Sequence, residues 1–161
     1  MFTIREGGVD SAGVNRADRE HQHLRAVHVW GNGYVRNSLV EFIRAMSPPH
    51  VAAWGDLDAH GVAIVADLAR RLQRPVHPIG MDPELFRHGV KRTRTEEERR
   101  EARNLAARLS ADAPESLQPL AALIADSGDS CEQQTIRAKV TPRLGAMLQA
   151  VEQHEPPAPS T

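Results

Sequence analysis

The sequence has a single cysteine, Cys131, so it can build neither an internal disulfide framework nor a multi-cysteine zinc or iron–sulfur site. Aromatic residues make up only 4% of it, which argues against an aromatic platform for stacking bases. Long apolar runs are missing too: nothing approaches the roughly 18 apolar residues of a membrane-spanning helix. The opening MFTIREGG lacks the apolar core of a signal peptide. Together these absences predict a reducing, cytoplasmic setting with no membrane. The net charge of −1 over 161 residues argues against binding a polyanion through bulk charge. Lysine is scarce as well, with only Lys91 and Lys139.

What the sequence does have is 40% apolar residues and 11 glycines, the composition of an ordinary globular domain. Its charge is unevenly spread. Between Arg87 and Arg108 eight basic residues face four acidic ones, so that segment is +4 and the remainder −5. A basic strip beside an acidic body is therefore expected. No internal repeat is present. The only low-complexity stretch is the end, residues 153–161, whose three prolines favour a solvated, extended tail without a packing role.

Short apolar runs alternate with helical patterns along the rest. Phe2–Ile4, Ala26–Trp30, Val51–Trp54 and Val76–Ile79 read as strands, the second closed by the turn signal Gly31-Asn32-Gly33. Between them, Leu39, Val40, Ile43 and Met46 recur on one helical face over 36–46. Val62, Val65, Leu68, Ala69 and Leu72 do so on a helix starting near Gly61. Asp82 fits a helix cap with Pro83 at the first helical position, and Thr95 to Glu98 has capping-box form. Further helices are expected over 117–125, 132–140 and 142–151, the last capped by Thr141. Strands and helices in this alternation predict an α/β domain: a parallel sheet of about four strands, helices on both faces, and C-terminal helices. In such sheets the working site lies beyond the carboxyl ends of the strands. That directs attention to Glu6, to 31–34 and to 55–61.

Asp56 and Asp58 are the sharpest feature. They leave the end of an apolar strand two residues apart, on one side, with Leu57 free to turn inward and Gly55 and Gly61 bracketing them. Two close carboxylates repel each other, and a divalent cation relieves that repulsion; hard oxygen ligands suit Mg²⁺ or Mn²⁺. On spacing alone the pair reads equally well as one helix cap and one solvated carboxylate. An aspartate nucleophile at Asp56, as in a phosphatase or phosphotransferase, also fits the pattern but needs a lysine beside the phosphate. The basic strip has a plainer reading too, a solvated helix face with pairs such as Glu96 with Arg100.

Phe2-Thr3-Ile4-Arg5-Glu6-Gly7, followed by Trp54-Gly55-Asp56-Leu57-Asp58-Ala59-His60-Gly61, resembles the Toprim family, which has a glutamate after its first strand and an Asp-x-Asp after a later one. The fuller string WGDLDAHGVAIVADLARRL, the run ending Ile79-Gly80-Met81-Asp82, Trp30–Tyr34 and Cys131-Glu132-Gln133-Gln134 look like the C-terminal Toprim domain of JetD, the nuclease subunit of the Wadjet anti-plasmid system. The resemblance covers most of residues 1–152, which would form the Toprim-like catalytic domain.

The resemblance implies a Rossmann-like Toprim sheet and a Mg²⁺- or Mn²⁺-dependent DNA endonuclease acting in defence against plasmid or foreign DNA. Glu6, Asp56 and Asp58 would be catalytic and metal-binding, with Glu132 a further metal ligand. Arg87, Lys91, Arg92 and Arg94 would contact DNA phosphates. DNA and either SMC-type Wadjet subunits or a second copy of the chain are the implied partners. Relatives carry DNA-binding regions ahead of the Toprim domain that this sequence does not show. Its Val9–Gln22 is poor in apolar residues, and Gln134 stands where relatives more often have a second glutamate. Those departures motivate the alternative, a non-catalytic Toprim-like remnant or interaction subunit that needs a DNA-binding partner.

Overall fold

The computed structural model describes residues 2–5, 26–29 and 33–153. Their backbone forms one four-stranded sheet and seven α-helices. Strands β1 (Phe2–Arg5) and β2 (Ala26–Val29) lead to helix α1 (Asn37–Met46), then β3 (Val51–Ala53), α2 (Ala59–Leu72) and the two-residue β4 (His77–Pro78). The rest is helical: α3 (Pro83–His88), α4 (Glu96–Asp112), a 3₁₀ turn (Glu115–Leu117), α5 (Gln118–Ser127), α6 (Gln133–Val140), a second 3₁₀ turn (Thr141–Arg143) and α7 (Leu144–Gln153). Among these residues no helix is long and apolar enough to cross a membrane.

The sheet order is β2-β1-β3-β4. β3 and β4 pair in parallel, as expected, with Ala52 opposite His77 and Ala53 opposite Pro78. The expected all-parallel sheet is corrected at β1, which runs antiparallel to both neighbours, with Ile4 opposite Val27 on one side and Val51 on the other. A parallel β1–β2 pair needs a crossover element packed on the sheet, and Val9–Gln22 offers few apolar side chains for that packing; an antiparallel pair needs none. Because β1 is antiparallel to both, β2, β3 and β4 share one direction. The run β2-α1-β3-α2-β4 keeps the winding expected of an α/β domain, and one reversed strand is set into it.

Side-chain caps start α2, α3 and α4. The Asp82 carboxylate accepts from Leu85 N at 2.9 Å, with Pro83 in the first turn of α3. Thr95 and Glu98 make the reciprocal capping box of α4. The expected Thr141 cap does not form: Val140 and Thr141 both keep right-handed helical dihedrals, so α6 tightens into the 3₁₀ turn and runs on into α7. α1 is tied to α2 by arginines that spend their donors on backbone. Arg44 donates to Arg71 O at 2.6 Å, and Arg71 donates to Val35 O at 2.6 Å.

The core lies under these elements. Leu57, Val62, Leu68, Leu117, Leu120 and Ile124 are wholly removed from solvent. Burial of each such leucine or isoleucine contributes about 1.5–3 kcal/mol. α4 packs along α5 and against α2. Gly128 ends α5 with φ 71°, and a Cβ there would stand 2.6 Å from Arg99 O, so only glycine lets α5 close on α4.

Candidate functional site

β3 is buried throughout, and the chain leaves it as Trp54-Gly55-Asp56-Leu57-Asp58 before α2 begins. Leu57 turns inward and is fully buried, as its place between two aspartates predicts; Asp56 is exposed and Asp58 half-buried. Asp58 is the N-cap of α2, its Oδ1 accepting from Gly61 N at 2.8 Å. A Cβ on Gly61 would lie 2.0 Å from the Asp56 carbonyl oxygen, so glycine is required for the loop to fold back on the helix start.

A segment far along the chain closes this loop. Leu57 and Cys131 form an antiparallel bridge, Leu57 N donating to Cys131 O at 2.9 Å and Cys131 N to Leu57 O at 3.0 Å. Gln133 N then donates to Asp56 Oδ1 at 2.6 Å. Glu132 sits between these two contacts, at the N-cap of α6, without a side-chain capping bond of its own. The start of α6 is thereby fixed beside the Asp-x-Asp loop, and Asp56, Asp58 and Glu132 share one end of the sheet.

The basic strip reaches the same place. Arg92 N donates to Ser130 O at 3.0 Å, and its Nε lies 4.0 Å from Glu132 Oε1. Arg94 donates to Asp58 Oδ2 at 3.2 Å, both side chains largely buried at 10% and 15% exposure. Lys91 faces inward. Its Nζ donates to the Phe86 carbonyl, lies 3.3 Å from Cys131 Sγ and stands 3.6 Å from the centre of the Phe86 ring. Of the four cations expected to meet phosphate, Arg87 and Arg92 are exposed, while Lys91 and Arg94 are spent on protein contacts. The other lysine, Lys139, donates to His88 O at 3.3 Å.

Sequence reasoning did not find Arg94 as the partner of Asp58, because nothing local marks which arginine of a strip will pair. It also left the exposed pair Tyr34 and His60 unjoined; Tyr34 Oη lies 2.7 Å from His60 Nδ1. Glu6 lies outside the described residues. The strand before it ends at Arg5, beyond the Ile4–Val51 pair, so β1 leaves the sheet at the edge opposite the one that carries Asp56.

The donors present are carboxylate oxygens, which suit a hard divalent cation. Asp56 is exposed, and Glu132 is half-exposed with Arg92 at salt-bridge range, so both are accessible to a cation. Both oxygens of Asp58 are already occupied, by Gly61 N and Arg94, and a cation would have to share Oδ2 with that guanidinium. Among the described residues no group of three or more His, Cys, Asp or Glu is gathered closely enough to hold a metal ion.

These features define a mixed α/β domain whose acid-bearing loop follows the parallel strand β3 and is closed by the start of a late helix. The family model described as Wadjet protein JetD, C-terminal, matches residues 15–143. The match takes in most of the chain, including the Asp-x-Asp loop, the basic strip and the Cys131–Gln133 segment, and the chain belongs to this family. Neither the curated proteins nor the solved structures give a match.

Proposed function

We propose that this chain is a Wadjet DNA-processing module for hydrolysis of a DNA phosphodiester, in defence against plasmid DNA, in which Mg²⁺ or Mn²⁺ binds at Asp56 and Glu132 and draws in Asp58, three carboxylates that share one end of the sheet without being gathered into a ready-made cluster. The observation that carries this reading is the hydrogen bond from Gln133 N to Asp56 Oδ1, which sets Glu132 beside the Asp-x-Asp loop at the carboxyl end of β3. A Toprim-type sheet is part of the same proposal, supported by the common direction of β2, β3 and β4. A bound divalent cation supplies polarisation of the phosphate and a more acidic water. The chain's own residues do the rest. Asp56 and Glu132 present oxygens to the cation, and the Asp58 cap fixes the loop on α2. Arg92, exposed beside Glu132, offers its guanidinium to a neighbouring phosphate. Glu6, the other acidic residue expected in the set, lies outside the described residues, and the proposal is made on the three carboxylates that are described. SMC-type Wadjet subunits, or a second copy, are the proposed partners for gripping DNA.

A second reading, a module that engages DNA or partner subunits without cutting, is favoured by two specific observations. Both Asp58 oxygens are engaged within the protein. The segment following β2, whose carboxyl end lies on the same edge as that of β3, reads Trp30-Gly31-Asn32-Gly33-Tyr34 and contains no carboxylate. Incubating the full chain with supercoiled plasmid and Mn²⁺ separates the two. Nicking or linearisation that is lost in Asp56→Asn supports the hydrolase; intact plasmid with folded wild-type protein supports the second reading.

A further inference from the structure

The described cations differ in whether a carboxylate stands beside them. Arg92, Arg94, Arg99, Arg100 and Arg103 of the basic strip each stand within ion-pair distance of a carboxylate, and Arg70 and Arg71 both pair with Asp67. Each of these cations already has a carboxylate beside it. Arg87, Lys139 and Arg143 are exposed and, among the described residues, none is paired with a carboxylate. They come from α3, α6 and the second 3₁₀ turn, yet all three line one cleft of about 740 Å³. Lys139 Nζ ties the walls together by donating to His88 O, which occupies one of its three donors. The cleft also contains Asp82 and Glu84, and Asp82 is turned to cap α3 through Leu85 N.

The position of this cleft gives its charge a use. α6 carries Gln133, which holds Asp56, in its first turn, and Lys139 in its last. Six residues of helix separate them by about 9 Å, comparable to the axial rise of two to three nucleotides along one strand. Cations at that distance along a rigid helix are placed to contact phosphates flanking one held at the acidic loop.

We propose that the cleft between α3 and α6 binds the phosphodiester backbone of DNA through Arg87, Lys139 and Arg143. This rests on the reading of the chain as a DNA-acting protein, but not on cleavage, so it is tested by binding alone. A labelled DNA duplex is titrated with the full chain in EDTA, by fluorescence anisotropy, over a range of salt concentrations. The variants are Lys139→Gln with Arg143→Gln, and Arg108→Gln as a control that removes an exposed charge from α4 outside the cleft; circular dichroism checks folding. The double variant is expected to bind about tenfold more weakly and to lower the slope of log affinity against log salt by about 2, because two phosphates then keep their counterions. The control is expected to bind as the wild type does. Equal affinity of wild type and double variant, or an equal weakening in the control, overturns the cleft and leaves the DNA-acting reading standing. Failure of folded wild-type protein to bind duplex at low salt overturns both.

Discussion

Gln133 N donates to Asp56 Oδ1 at 2.6 Å across 77 residues of sequence, and the late helix α6 is thereby pinned to the loop that leaves β3. The contact does not stand alone. The Leu57–Cys131 bridge beside it is wholly buried on both sides, and Lys91 packs behind Cys131. The acidic end of the sheet is therefore held by core packing, and an exposed carboxylate at its surface inherits that rigidity.

Arg94 is where stability and metal binding oppose each other. Arg94→Gln leaves Asp58 Oδ2 without its charged partner at a largely buried position, and the metal-free protein is expected to lose about 1–3 kcal/mol in urea denaturation. The same change frees that oxygen for a cation and removes a competing positive charge. Mn²⁺ affinity is expected to rise severalfold in the variant. A variant that is destabilised without binding Mn²⁺ more tightly would show that Asp58 serves as cap and ion pair only.

β1 runs antiparallel to β3, and Glu132 stands at the end of the sheet that carries Asp56. With β1 reversed, Glu132→Gln is expected to weaken Mn²⁺ binding about tenfold or more, while Glu6→Gln leaves it unchanged. Isothermal titration of both variants checks this. Weakened binding in Glu6→Gln would mean that the chain after Arg5 returns to the edge that carries Asp56.

The capping box of α4 sets a pH dependence. The Glu98 carboxyl is held below its ordinary value chiefly by the hydrogen bond it accepts from Thr95 N, and then by the Thr95 hydroxyl. A lowered carboxyl contributes stability that is present above its unfolded value and is lost as pH falls through its folded one. Glu98→Gln is therefore expected to flatten the fall in melting temperature below about pH 4.3, the ordinary glutamate value, relative to wild type. Melting temperatures at pH 3 to 7 read it directly.

Most of the helical framework was legible because its signals are local. The i, i+3, i+4 face of α2, the Asp82–Pro83 start of α3 and the Thr95–Glu98 box all stood where the structure has them. The inward turn of Leu57 between Asp56 and Asp58 was legible for the same reason. The direction of β1 was not, because Phe2–Ile4 carries the same alternation whichever way it pairs and only its distant partners fix the sense. Thr141-Pro142 carries a helix-start signal, but Ile136, Val140 and Leu148 continue one buried face across it, and packing kept the backbone helical. The division of the basic strip into paired and free cations was likewise beyond local reading. Lys91 and Arg94 stand on either side of Arg92 in the sequence, yet they face Cys131 and Asp58.

The most direct test is Mn²⁺ binding to the full chain, followed by electron paramagnetic resonance. Wild type is expected to bind Mn²⁺ at stoichiometric level in the millimolar range or tighter, and Asp56→Asn with Glu132→Gln to abolish the bound signal while circular dichroism stays unchanged. A folded wild-type protein that leaves all millimolar Mn²⁺ free, or a double variant that binds it as wild type does, would contradict the assignment of the metal to Asp56, Asp58 and Glu132.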